Sequence, residues 1–146
     1  MSLLKFMDNE IPRSEGYIPP HERFDKYKGD KCWQGHLREL HYKEDLVVIG
    51  LPCNQFGGQE PGSSREIQEF FSSNYCIIFL LTEKIKVKGE GQHKLYRWLT
   101  DKILNGRSDS SVRWNFQKYL VSPKGELIDF FYSMTNPMSP KITSIL

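Results

Sequence analysis

The chain has 146 residues, a length typical of one domain, and its 38% hydrophobic and 13% aromatic residues can bury a core, which excludes a wholly disordered chain. Its 20 basic and 18 acidic residues give a formal charge of +2 without a long block of like charge, so we expect neither nucleic-acid nor membrane-surface binding. No apolar run approaches the ~20 residues of a membrane-spanning helix, and residues 1–6 are too few for the apolar part of a signal peptide.

The cysteine count favours a reducing compartment. The chain has three cysteines, Cys32, Cys53 and Cys76, and an odd number does not suit a small secreted domain held by disulfides. We therefore expect a cytoplasmic protein in which a functional cysteine is reactive rather than structural. The four histidines show no metal-ligand spacing with the cysteines, so no metal site is predicted.

The N-terminal part gives the weakest structural signal. Three prolines and many charges between Asp8 and Gly29 leave no strand or helix periodicity, so residues 1–34 are predicted to form an irregular arm of a single domain. A helix is expected around residues 35–42, where the remaining part of the domain begins.

The clearest strand prediction is Leu46–Leu51, a continuous apolar run that is β-branched at its centre and closed by Pro52. Such a run is typical of a strand buried on both faces of a sheet. A loop with several turn-forming residues follows over residues 53–62. A helix is then predicted to begin at Ser63, because Ser63 and Glu66 fit a capping box.

The second half of the chain predicts a strand at residues 76–81, a helix at 92–100 and a hairpin formed by 117–121 and 126–131 around a Pro-Lys-Gly turn. A short last helix is expected from Ser139. The order of strand, helix, strand, helix and hairpin predicts an α/β fold with one mixed sheet, flanked by helices, that has an antiparallel edge.

Two segments carry a resemblance to a known family. Residues 51–62, which begin Leu-Pro-Cys-Asn-Gln-Phe, resemble the signature loop of the glutathione peroxidases. Residues 112–121 resemble the family's Trp-Asn-Phe segment, and residues 83–96 are similar to its middle region. Both signature segments are long and stand in the family's order, and the similarity runs from about residue 35 to the C-terminus.

The resemblance implies a thioredoxin-like fold and the reduction of hydroperoxides by a cysteine or selenocysteine, with glutathione or thioredoxin as reducing co-substrate and no bound cofactor. It further implies that Gln59, Trp114 and Asn115 surround the reactive atom. Neutral N–H donors can stabilise a thiolate and orient a peroxide without adding a fixed charge. Because the chain lacks the insertion of the tetrameric members, the resemblance is to the monomeric type with a broad substrate range.

The segment around Cys32 departs from the family's pattern. Members carry an apolar strand that ends in the peroxidatic residue, followed by glycine, whereas here no apolar run precedes Cys32 and Trp33 occupies the glycine position. Cys32 lies 21 positions before Cys53, fewer than in the family. The simplest description is a deletion of the central strand, whose place must be filled by residues of the arm, by a partner chain or by water.

Two interpretations of Cys32 follow. In one, Cys32 is the nucleophile, and Lys31 together with the start of a helix lowers the pKa of its thiol. In the other, which the shortened segment favours, Cys32 is an ordinary exposed thiol and the site is lost. Cys53 is interpreted as support for the signature loop, and Cys76 as a core residue.

The leading functional hypothesis is a glutathione-peroxidase-like enzyme of the oxidative-stress response, with Cys32, Gln59, Trp114 and Asn115 as its catalytic residues. The alternative is a non-catalytic pseudo-peroxidase or binding module of the same fold. A dithiol redox module is poorly supported, because the chain has no Cys-x-x-Cys. We expect Gln59 and Trp114 to lie together at the C-terminal edge of the sheet. If Cys32 is not held beside them, hydroperoxide reduction will be far below that of an intact site and little changed by Cys32→Ser.

Overall fold

The computed structural model describes residues 2–7, 46–75 and 80–146, with side chains from 46 to 69 and from 80 to 146. These ranges contain five strands and four helices. In chain order the elements are β1 (Ser2–Met7), β2 (Leu46–Leu51), α1 (Ser64–Tyr75), β3 (Leu80–Leu81), α2 (Lys94–Thr100), α3 (Lys102–Asn105), β4 (Lys118–Val121), β5 (Leu127–Phe131) and α4 (Pro140–Thr143).

The strands form one mixed sheet in the order β3-β2-β1-β4-β5. Strands β2 and β3 are parallel, whereas β4 and β5 form an antiparallel hairpin at the other end of the sheet. The structure thus confirms the predicted α/β sheet with its antiparallel edge, the strand at Leu46–Leu51 and the hairpin. The predicted strand at residues 76–81 is seen only at Leu80–Leu81, because residues 76–79 lie outside the described part.

The centre of the sheet holds a strand that the sequence does not predict. Strand β1 lies between β2 and β4, antiparallel to the first and parallel to the second, so that Leu4 stands opposite both Ile49 and Tyr119. Residues of the N-terminal arm therefore fill the place between β2 and β4. The rest of the predicted irregular arm, Cys32 and the helix expected around residues 35–42 lie outside the described residues.

The predicted capping box sets the start of α1. The Ser63 amide donates a hydrogen bond to Glu66 Oε2 at 2.7 Å, and the Glu66 amide donates to Ser63 Oγ at 3.3 Å. The Ser63 amide and the Ser63 hydroxyl both donate to Glu66 Oε2, and these two bonds lower the pKa of the Glu66 carboxyl because they stabilise its charged form. The helix therefore begins at a fixed point directly after the signature loop.

Both faces of β4 are buried, each in a different hydrophobic cluster. Tyr119 and Val121 belong to a cluster that includes residues of α2, and Leu120 packs with Ile142 of α4. Successive side chains of a strand point to opposite faces, so β4 is covered by helical residues on both sides. The first cluster also contains Cys53 and Phe56 and so anchors the signature loop to the core; its buried members are Leu51, Cys53, Phe56, Val87, Tyr96, Leu99, Val112, Tyr119, Val121 and Leu127.

Candidate active site

The two segments that resemble family signatures leave the sheet at the same edge. Gly50, near the end of β2, and Lys118, at the start of β4, both stand opposite Leu3 of β1. Because β2 and β4 run in opposite directions, the C-terminal end of one lies beside the N-terminal end of the other. The loop after β2 and the turn before β4 therefore leave the sheet side by side, at the edge where β2 ends.

Side chains of the two segments contact each other directly. Asn115 Nδ2 donates a hydrogen bond to Gln59 Oε1 at 2.8 Å across 56 positions of sequence. The ring of Trp114 lies 5.8 Å from that of Phe56, centroid to centroid. Asn115 is buried, with 4% of its surface exposed, whereas Trp114 is 50% exposed. The structure thus brings Gln59, Trp114 and Asn115 to one edge of the sheet, while Cys32 lies outside the described residues.

The bond to Asn115 orients the Gln59 amide. Because Asn115 supplies the N–H group, Gln59 faces it with its oxygen and keeps its own NH₂ group as a donor on an exposed side chain. The Gln59 side chain lies over Gly57, where a Cβ atom would stand 3.7 Å from Gln59 Nε2. The edge thus carries an amide donor and a half-exposed indole ring, both of them neutral.

The signature loop is closed by its own polar residues. The Cys53 amide donates to Glu60 Oε2 at 2.9 Å, and the Glu60 amide donates to Asn54 Oδ1 at 3.0 Å. Gly57 and Gly58 have φ values of 65° and 61°, in the left-handed region that glycine adopts most readily. These features explain the residue types of the loop and fix the backbone on both sides of Gln59.

Two further side chains, which the sequence analysis does not single out, tie the loop to the middle region. Gln55 Oε1 accepts a hydrogen bond from the Val87 amide at 2.7 Å, and Gln55 Nε2 donates to the Lys88 carbonyl oxygen at 2.8 Å. Lys84 Nζ donates to the carbonyl oxygen of Glu60 at 2.7 Å. Their presence in the family-like segments is the only signal by which the sequence could have indicated them.

The turn before β4 has an unusual backbone conformation. Phe116 has a φ of 61°, in the left-handed region that costs a bulky residue free energy unless its surroundings hold it there. Gln117, which follows, is fully buried. Its Oε1 accepts a hydrogen bond from the Arg113 amide at 3.2 Å, so its side chain bridges the two ends of the turn that carries Trp114 and Asn115.

Two cations lie over aromatic rings around this edge. Lys88 Nζ is 4.2 Å from the centroid of the Phe56 ring, which also packs against Trp114. The Arg113 guanidinium lies 4.3 Å from the centroid of the Tyr132 ring. A cation over an aromatic face is attracted by the ring's electrons. Lys88 thereby links the middle region to the ring that supports Trp114.

A buried lysine begins β4 next to the turn. Lys118 Nζ donates to the carbonyl oxygens of Ser133 and Thr135, at 3.1 and 2.7 Å, and so joins β4 to the segment after β5. Burial lowers the pKa of the Lys118 ammonium to about 7, because a charged amine is poorly solvated there. Burial also raises the pKa of the Tyr119 hydroxyl.

The described residues contain neither a membrane-spanning helix nor a metal-binding cluster. No helix within residues 46–75 and 80–146 is both long and apolar enough to cross a membrane. In the same ranges no group of three or more His, Cys, Asp or Glu side chains could hold a metal ion.

Comparison with known proteins gives consistent matches. The family model described as glutathione peroxidase matches residues 34–100, a range that begins after Cys32. A glutathione peroxidase from Lactococcus lactis subsp. cremoris is 35% identical over 133 residues, which are 90% of this chain and 78% of that protein. The glutathione peroxidase homolog BsaA of Bacillus subtilis is 37% identical over 101 residues, 69% of this chain and 63% of the relative. The glutathione peroxidase-like peroxiredoxin 2 of Saccharomyces cerevisiae is 39% identical over 106 residues, 70% and 65% of the two chains.

The chain therefore spans less than two thirds of the length of the B. subtilis and yeast relatives. A solved structure, that of Trgpx in the apo form, superimposes with a TM-score of 0.55 and 26% sequence identity, over 98% of this chain and 78% of the other. This similarity confirms the thioredoxin-like α/β fold predicted from the sequence.

Proposed function

The chain belongs to the glutathione peroxidase family, and on that premise we propose that it reduces hydroperoxides with electrons from a thiol. The observation that carries the proposal is the hydrogen bond between Asn115 and Gln59, with Trp114 packed on Phe56 beside it. It joins the two family signatures at one sheet edge and leaves neutral donors there.

The proposed reaction begins when a cysteine thiolate attacks one oxygen of the hydroperoxide. The O–O bond breaks, the sulfur is oxidised to a sulfenic acid, and the other oxygen leaves as an alcohol after taking up a proton. One thiol then condenses with the sulfenic acid and releases water, and a second thiol restores the cysteine while the two donor thiols form a disulfide. The NH₂ group of Gln59 and the Trp114 indole N–H are the donors that we assign to the thiolate and the peroxide.

We propose Cys32 as the nucleophile, in keeping with the resemblance. Strand β1, which occupies the centre of the sheet, contains no cysteine. Cys53 is only 2% exposed, and its sulfur accepts a hydrogen bond from the Gln55 amide at 3.3 Å, which suits a loop-supporting residue. The reductant, glutathione or thioredoxin, is left for experiment, and we expect a monomer in a reducing, cytoplasmic setting.

One observation favours the second candidate function, a non-catalytic pseudo-peroxidase or binding module. Strand β1 runs antiparallel to β2, so its first residue, not its last, lies at the edge where β2 ends. A central strand of the family type would deliver its last residue to that edge. The donors Gln59 and Trp114 would then remain without a sulfur between them.

The two functions are separated by the rate of peroxide consumption with glutathione or with thioredoxin as donor. We compare the wild type with Cys32→Ser and Trp114→Phe, and use as the matched control Trp98→Phe, a change at a partly buried residue of α2 that packs against the core. The enzyme hypothesis expects turnover that Cys32→Ser abolishes and Trp114→Phe lowers on the order of 10-fold or more, with Trp98→Phe close to wild type. A slow rate that stays the same in all three variants would establish the pseudo-peroxidase instead.

A further inference from the structure

A series of hydrogen bonds, buried at Gln117 and Tyr119 and partly buried at Ser110, runs from the Trp114–Asn115 turn into the core. Gln117 Nε2 donates to the Tyr119 hydroxyl at 2.8 Å, and that hydroxyl lies 3.3 Å from Ser110 Oγ. Ser110 Oγ in turn donates to the carbonyl oxygen of Leu99, at the end of α2, at 3.3 Å. This series of hydrogen bonds therefore links the turn before β4 to helix α2.

The directions of these hydrogen bonds are fixed by the backbone groups at the two ends of the series, the Arg113 amide and the Leu99 carbonyl. The Arg113 amide can only donate, so Gln117 must face it with Oε1 and turn its NH₂ group to Tyr119. The Tyr119 hydroxyl accepts that hydrogen bond and gives its own proton to Ser110, because the Leu99 carbonyl can only accept from Ser110. One arrangement thus satisfies all the groups, and a buried network that is fully satisfied makes its surroundings rigid.

The residues between the two ends of this bridge include Asn115, which donates a hydrogen bond to Gln59, and Trp114, which packs on Phe56. Arg113 and Gln117 enclose Trp114, Asn115 and Phe116, the last with its left-handed φ of 61°. A conformation that costs free energy persists only where neighbouring contacts hold it. The Gln117 side chain supplies one such contact, because it bridges the turn through the Arg113 amide from inside the protein.

We propose that Gln117 is a positioning residue, which, anchored through Tyr119 and Ser110, holds the Trp114–Asn115 turn in contact with Gln59. Its effect on peroxide reduction rests on the function proposed above, whereas its hold on the turn does not. Gln117 touches no reacting atom in this scheme and acts only through the two residues that it places.

The test uses variants that separate positioning from stability. Gln117→Met keeps the volume but removes the strong acceptor for the Arg113 amide, and Gln117→Glu keeps an acceptor whether or not its carboxyl is protonated. The double variant Gln117→Met with Tyr119→Phe removes both partners of the buried bond, which can restore stability that the single change loses. It does not restore the acceptor for Arg113. Each variant is measured for melting temperature, for hydrogen exchange of the Arg113 amide and for kcat/KM with a peroxide.

We expect Gln117→Met to accelerate exchange of the Arg113 amide and to shift the NMR signals of the Asn115 side-chain amide. Its kcat/KM should fall about 10- to 100-fold, as expected for misplacement by roughly 1 Å, and Gln117→Glu should stay within about threefold of wild type. The double variant should regain melting temperature but not kcat/KM. If activity instead returns with melting temperature, Gln117 has only a structural role.

Failure of this proposal and failure of the proposed function give different results. An Arg113 amide that exchanges equally slowly in wild type and Gln117→Met overturns the positioning role, whatever the activity. A wild type without peroxidase activity overturns the proposed function, and in that case exchange at Arg113 and the Asn115 signals still decide whether Gln117 holds the turn.

Discussion

Replacing Leu4 by proline tests the central place of β1. Leu4 stands opposite Ile49 on one side and Tyr119 on the other, so its amide lies inside the sheet. Proline removes that N–H group, and its ring does not fit the middle of a sheet, where proline is essentially absent. The lost bond and the carbonyl oxygen that it leaves unpaired in a neighbouring strand should together cost about 3 kcal/mol.

A loss of that size is a large fraction of the roughly 5–15 kcal/mol that stabilises a typical domain. With a urea dependence of about 1–3 kcal/mol per molar, the midpoint of unfolding should fall by about 1–3 M. The matched control is Leu4→Val, which keeps the N–H group with a side chain close to proline in volume and suits a strand. Equal midpoints for Leu4→Pro and Leu4→Val, measured by circular dichroism, would refute the pairing of β1 with β2 and β4.

Two further predictions concern the edge of the sheet. Because burial lowers the pKa of Lys118 to about 7, below the ~10.4 of an unfolded lysine, the unfolded chain binds more protons between these values. The free energy of unfolding should therefore rise from pH 7 to pH 10. In Lys118→Met, urea unfolding should show a smaller rise, because the lysine's contribution is missing. An identical pH dependence in both proteins would contradict the lowered pKa. For the Asn115–Gln59 bond, a double-mutant cycle with Asn115→Leu and Gln59→Leu should give a coupling of about 0.5–1.5 kcal/mol in urea unfolding, whereas additive effects would mean that the bond contributes nothing.

Local patterns in the sequence predict those strands and helices whose formation depends on residues that are close in sequence. The apolar run of β2 and the Pro-Lys-Gly turn between β4 and β5 signal their structures within a few positions. The same holds for the capping box at Ser63, which sets the start of α1. Strand β1 is different, because Ser2–Met7 has no turn signal and becomes a strand only by pairing with β2 and β4, which follow it at a distance in the chain.

The candidate site shows the same division between local and distant signals. The resemblance predicts Gln59, Trp114 and Asn115, because their segments match family signatures residue by residue. It does not predict Gln55 or Gln117, whose roles come from specific partners: Gln55 bonds to backbone groups 32 and 33 positions away. Periodicity and composition carry no information on such contacts, which only the folded arrangement brings together.

The donor side of the proposed site is supported by side chains of the loop after β2 and of the turn before β4. Asn115 contacts Gln59 directly, and each lies on a segment with its own support: Gln55 holds the loop after β2, and Gln117 holds the turn before β4. Because β1 runs antiparallel to β2, the C-terminal end of β1 lies at the opposite end of the sheet from the loop after β2. A central strand of this direction leaves the two supports in place, but its last residue does not lie beside the donors. In the proposed reaction the donors and the sulfur are therefore separable parts of the site, and we expect activity to depend on whether Cys32 reaches donors that are already positioned.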